Sequence, residues 1–215
     1  MADNYIEKKM EDMRSGKLAR HSLRPAARKG VWCLDFPCRR VLVTDGACAL
    51  GRAVVDEFCR LGCKVAFFDG DADSGMSTSY ATGARFIHGD VRDRECRDTA
   101  LKGLAGAWRD IDIVVNTVDD GGAVMDALAD FIAGLREHLP YPNDFGGRIV
   151  DVVSDSGGNI GELVGRFAGF RMTMNRIVVK GREIPVAGIA RLCVFLSAPG
   201  SGFLNGAEIP AGDEI

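Results

Sequence analysis

Residues 39–62 read RRVLVTDGACALGRAVVDEFCRLG, and the reading of this stretch decides the fold. Residues 39–44 are a short β-branched run, and Thr44-Asp45-Gly46-Ala47-Cys48-Ala49-Leu50-Gly51 is a turn of small residues. From Gly51 to Leu61, Val54, Val55, Phe58, Cys59 and Leu61 fall on one helical face, and Gly62 is a good stop. A strand that runs through a glycine-bearing turn straight into a helix leaves backbone N–H groups free at the helix start. That is the geometry in which an α/β fold cradles phosphate.

Working outward, the same rhythm repeats. The runs KVAFFD (64–69), ARFIHGD (84–90), IDIVVN (111–116) and GRIVDVVS (147–154) are apolar almost throughout, as expected when helices cover both faces of a parallel sheet. Arg94–Trp108 reads as a helix with a charged outer side. Ala123–Leu139 reads as another, with Met125, Leu128, Ile132, Leu135 and Leu139 as a stripe that packs against the sheet or a twin subunit. Strand and helix in this alternation predict an α/β fold with a doubly wound, mostly parallel, Rossmann-like sheet in three α/β/α layers. Ligands of such sheets bind beyond the carboxyl ends of the strands, which directs attention to the residues after Thr44, Asp69, Asp90, Asn116 and Ser154.

Composition sets the outer bounds. The chain has 215 residues, 47% hydrophobic and 27% charged, with net charge −3: room for one α/β domain of ordinary size. Residues 1–40 hold 10 Lys+Arg and 5 Asp+Glu, leaving 17 against 25 of the chain's 27 and 30, so a basic arm precedes an acidic body. Residues 1–38 are expected to be that arm, helical or disordered, and 39–215 the Rossmann domain. An acidic body argues against nucleic-acid binding. The charged N-terminus and the absence of a run of about 18 apolar residues argue against a leader or a membrane span, making the cytoplasm the expected location. The seven cysteines, at 33, 38, 48, 59, 63, 96 and 193, lack zinc or redox spacing and are expected to be reduced and mostly buried. His21, His88 and His138 suggest no metal site.

At the strand ends the sequence resembles the short-chain dehydrogenase/reductase family. The turn from Thr44 to Gly51 resembles the family's TGxxxGxG. Asp69 ends the second strand where the family holds adenosine ribose with an acid, and Asp90-Val91 resembles its adenine-contacting pair. Asp112-Ile-Val-Val-Asn116 resembles the strand entering N-N-A-G. Ile189–Ser197 and Gly202–Gly206 resemble the closing helix and the last turn. The resemblance implies NAD binding through Thr44, Gly46, Leu50, Gly51, Asp69, Asp90, Val91 and Asn116. On the residues alone Asp69 reads equally as a solvated strand-end acid, and Asn116 as a brace within the sheet.

The departures shape the functional expectation. Asp45 and Ala49 replace two of the turn's three glycines, and a carboxylate about 6 Å from a phosphate charge costs roughly 3 kcal/mol at an effective dielectric of about 20, around a hundredfold in affinity. Asp119 replaces the last glycine of N-N-A-G. Ser154 stands at the family's catalytic serine, but counting on thirteen and seventeen residues gives Phe167 and Arg171 where the proton-transferring Tyr and its Lys belong. Without those partners Ser154 reads as a hydroxyl bonding local backbone. The chain's Y-x-x-x-K, Tyr5 to Lys9, lies in the N-terminal arm; no Tyr follows Ser154, and Ile189 comes only 18 positions after Arg171, too few for a substrate loop. The expected protein is a shortened, non-catalytic relative with weak or no NAD binding, acting as a binding or oligomerisation partner, either with itself or with another family member. Met125–Leu139 and Phe167–Met174 are the surfaces expected to pair. The alternative is an NAD(P)-dependent carbonyl/alcohol oxidoreductase whose altered site a partner completes.

Overall fold

A computed structural model describes residues 36, 39–120, 122–137, 146–154, 159–167, 172–181 and 185–212, all within the unit Leu34–Ile215. Seven parallel strands, β1 (Arg40–Val43), β2 (Lys64–Asp69), β3 (Arg85–His88), β4 (Ile113–Asn116), β5 (Gly147–Val153), β6 (Met172–Lys180) and β7 (Glu208–Gly212), lie in the order β3-β2-β1-β4-β5-β6-β7. The winding reverses between β1 and β4, so the crevice for a ligand opens beyond their carboxyl ends.

The described helices are α1 (Ala49–Arg60), α2 (Ala72–Thr82), α3 (Arg94–Trp108), α4 (Ala123–Glu137), α5 (Ile160–Phe167) and α6 (Val186–Ser197). One sheet face, with Val41, Val43, Phe67, Val115 and Val150, packs beneath Val54 and Phe58 of α1 and Ile189 and Cys193 of α6. The other, with Leu42, Val114 and Ile149, packs beneath α3, α4 and Leu163 of α5. Two covered faces explain the unbroken apolar runs. The expected stripe of α4 is core: Met125, Leu128 and Ile132 are buried on the sheet, while Leu139 lies outside the described residues. Before the first strand, Phe36 is buried edge-on against Phe58, with ring centroids 5.8 Å apart.

Two expectations need correction. The helix carrying Phe167 ends there, and β6 opens at Met172, so no long helix runs past position 171. Met172 and Met174, expected on a pairing surface, are instead buried in the sheet, registered with Gly147 and Ile149. The thiols are less deeply placed than expected: Cys48, Cys59, Cys63 and Cys96 are half-buried and only Cys193 is buried, while Cys33 and Cys38 lie outside the described residues. No described helix is long and apolar enough to cross a membrane.

Candidate active site

The turn after β1 is held against its own chain. A Cβ on Gly51 would lie 2.1 Å from the Asp45 carbonyl oxygen, and one on Gly46 2.5 Å from Phe67 Cβ, so only glycine fits at either position. Asp45 takes the left-handed region at φ 50°, the place the family gives to glycine. Burial pushes its carboxyl above the usual range, and the charge of Asp69 adds to the shift. The Cys48 thiol caps α1 by accepting the Gly51 N–H at 3.3 Å, and burial raises it too.

Asp69 is not the solvated acid of one reading. It is 7% exposed, and its two oxygens accept the N–H groups of Ala47 (2.8 Å) and Asp71 (2.8 Å), tying the turn after β1 to the turn after β2. Asp71 in turn caps α2, its carboxyl lowered by the Ser74 hydroxyl and by the Ser74 and Asp73 amides. Between these turns and the one after β3 lies a cleft of about 300 Å³ lined by Asp45, Asp69, Asp71, Asp90, Arg92 and Val118. Val91 joins that lining, buried, while Asp90 is exposed and accepts the Arg92 N–H at 2.9 Å. His88 is exposed, with Nε2 3.3 Å from the Gly70 carbonyl.

The family's dinucleotide can be tested against this arrangement. Adenosine would find Asp69, Asp90 and Val91 at one cleft. A pyrophosphate would find the Gly51 and Ala47 amides already donated to Cys48 and Asp69, with the Asp45 carboxyl beside them. The residues fit the nucleoside half and do not fit the phosphates.

Asn116 is the brace that one reading expected. Its Oδ1 accepts the Thr44 hydroxyl (2.8 Å) and the Val118 N–H (3.3 Å); its Nδ2 donates to the Val118 carbonyl (3.0 Å) and to Asp151 (2.9 Å). Thr44 Oγ1 also accepts the Thr117 N–H at 2.8 Å. Asp151 continues the line to Arg176 Nε (3.0 Å), and Arg176 Nη1 to Glu208 (3.1 Å). Asn116, Asp151, Arg176 and Glu208 are register partners on four adjacent strands, so with Thr44 they form one polar row across the sheet. Asp151 and Arg176 were not legible as site residues. Each is a lone polar residue in an apolar run, and only the register shows that they meet.

Ser154, exposed at the end of β5, bonds neither ligand-side groups nor local backbone among the described residues. Its N–H donates to Asp119 Oδ2 at 3.0 Å and its hydroxyl donates to the same oxygen. Those bonds hold the Asp119 carboxyl below the usual range. Phe167 closes α5, and Arg171 lies outside the described residues; Met172, the next residue, opens β6 opposite Gly147, at the sheet edge away from Ser154. Leu50, half-buried in the first turn of α1, packs against the core. Sequence and structure together thus assemble Thr44, Gly46, Gly51, Asp69, Asp90, Val91, Asn116 and Ser154 along one edge.

Comparison with known proteins agrees with this architecture. Residues 39–168 match the family described as short chain dehydrogenase. A cis-2,3-dihydrobiphenyl-2,3-diol dehydrogenase of Paraburkholderia xenovorans is 36% identical over 77 residues, 35% of this chain and 28% of that protein, so the match spans well under a third of the relative's length. Among solved structures, a hydroxysteroid dehydrogenase from Escherichia coli superposes with a TM-score of 0.70 at 15% identity, covering 83% of this chain and 97% of the other. A short-chain dehydrogenase/reductase from Serratia marcescens gives 0.67 at 18% identity, covering 83% and 98%. At these identities the structural likeness speaks for the fold alone.

Proposed function

The chain belongs to the short-chain dehydrogenase family, and we propose that this member works by binding rather than by turnover, with weak or no affinity for NAD(P). The observation that carries the reading is the crossover from β5 to β6. It runs only from Ser154 to Arg171, contains neither Tyr nor Lys, and its described helix ends at Phe167. A phenylalanine ring has no proton to transfer, and losing a positioned acid/base typically lowers a rate by about 10²–10⁴. The one tyrosine among the described residues, Tyr80, is 95% exposed on α2. Ser154 gives its hydroxyl to Asp119, and the amides that would meet a pyrophosphate serve Asp69 and Cys48. A second copy of this chain or an active relative is the partner class this reading favours.

The experiment is titration of the full chain with NADH and NADPH by fluorescence and thermal shift, alongside a turnover screen with carbonyl and alcohol substrates. Binding no tighter than high micromolar and no turnover are expected. Low-micromolar cofactor affinity would contradict the reading of the turn. Turnover by the chain, alone or with a relative added, would shift the conclusion to an oxidoreductase with an altered or partner-completed site.

A further inference from the structure

We infer that Asp119 is a built-in ligand: its carboxylate fills a two-donor oxygen site on Ser154 that would otherwise take a small carboxylate from solution. The inference deepens the binding reading above and rests on it. Both donors of Ser154, the backbone N–H and the hydroxyl, converge on one atom, Asp119 Oδ2, brought from 35 residues away in sequence. Two donors aimed at one oxygen are how a protein holds an oxyanion or a polarised carbonyl oxygen.

The contact follows from the register of the sheet. Asn116 and Asp151 face each other across β4 and β5, joined by the Asn116 Nδ2 bond, and each chain then runs three residues further, to Asp119 and to Ser154. Asn116 also clamps the first of those segments, donating to the Val118 carbonyl and accepting the Val118 N–H. The carboxylate is therefore held at high effective concentration beside the serine, and a free carboxylate cannot compete with it. Like any aspartate, Asp119 is ionised, and so occupying, through the neutral range, and the two bonds from Ser154 hold its carboxyl lower still.

Shortening residue 119 should expose the site. Asp119→Ala is compatible with its backbone, which is not in the left-handed region. In the full chain, sodium acetate titrated against sodium chloride at equal ionic strength should raise the melting temperature of Asp119→Ala saturably, by a few degrees. The parent chain should not respond, and Asp119→Ala/Ser154→Ala should respond at least several-fold more weakly. If the alanine variant folds poorly, Asp119→Gly is titrated in its place. No acetate response in the shortened variant, an equal response in the parent, or an undiminished response without the serine hydroxyl would each overturn the inference. Turnover by the parent chain would defeat the binding reading while leaving this titration interpretable, so the two failures are distinct.

Discussion

Arg176→Met tests the polar row that underlies the site. Asp151 is fully buried and receives two side-chain donors, Asn116 Nδ2 at 2.9 Å and Arg176 Nε at 3.0 Å; the substitution removes the charged one and leaves a carboxylate in the sheet with an amide alone. Breaking a buried pair from one side costs about 3–5 kcal/mol, because the remaining charge cannot recover its hydration. Set against a total stability of about 5–15 kcal/mol, and with a urea slope of about 2 kcal/mol/M, the unfolding midpoint should fall by roughly 2 M. The effect should depend on pH in a defined direction. Burial already raises the Asp151 carboxyl, against the opposing hydrogen bonds from Asn116 and Arg176 and the Arg176 charge. A raised carboxyl favours its neutral form in the folded chain, so its ionisation weakens the fold as pH rises through the folded value, and acid restores what was lost. Arg176→Met raises it further, so the deficit should shrink on going from about pH 8 to about pH 5. Asp151→Leu/Arg176→Met, which removes both charges, should recover most of the loss. Urea unfolding followed by circular dichroism measures all three. A single variant within about 1 kcal/mol of the parent, or a deficit indifferent to pH, would refute the reasoning.

Three further outcomes are expected. Gly51→Ala sets a Cβ 2.1 Å from a backbone carbonyl that no side-chain movement can relieve, so it should lose about 3 kcal/mol or more, read as a large drop in melting temperature or as insoluble protein. Asp45→Asn keeps a residue that tolerates φ 50° and removes a carboxyl that burial and Asp69 disfavour in its charged form. It should stabilise by up to about 1 kcal/mol after allowing for solvent screening. The gain should be greatest at neutral pH and vanish in acid, where the parent's own carboxyl is neutral; a gain unchanged by pH would contradict this. Ser154→Ala should let the Asp119 carboxyl climb back toward the ordinary carboxylate range, observed by carbon-13 NMR titration of that side chain, and an unmoved titration would show that Ser154 does not hold it.

The sheet was legible because burial on both faces writes itself as uninterrupted apolar runs: 64–69 is the observed β2, and 147–154 overshoots β5 by one residue. Arg94–Trp108 matches α3 to the residue, since Asp93 caps its start and Arg109 ends it in a left-handed turn. The helix α2 was missed for the opposite reason. Its sequence, ADSGMSTSYAT, turns its largest apolar residues, Met76 and Tyr80, to solvent at 63% and 95% exposure and packs through Gly75 and Thr78, so no stripe exists to be read. Only the Asp71 cap and Gly83 mark its limits. At the site, strand-end positions were legible one at a time. Their pairings were not, because Asp119 with Ser154 and Asp151 with Arg176 depend on strand register, which no local pattern carries.

That register has a physical source within the same residues. In a sheet with one wet face, a one-residue slip moves every apolar side chain to the solvent side and is strongly disfavoured; where both faces are dry, apolar pattern alone penalises a slip far less. Here the buried Asn116, Asp151 and Arg176 supply the missing discrimination, since shifting β4, β5 or β6 by one residue would turn a buried charge or amide toward the opposite, apolar face. A buried ion pair adds little net stability over apolar residues of like volume, and fixing register is the use such pairs serve best. The row therefore matters less as glue than as a key: it aligns β4 with β5 in the one register that carries Asp119 to Ser154. In Asp151→Leu/Arg176→Met the core would still be filled, but the charged part of that key would be gone.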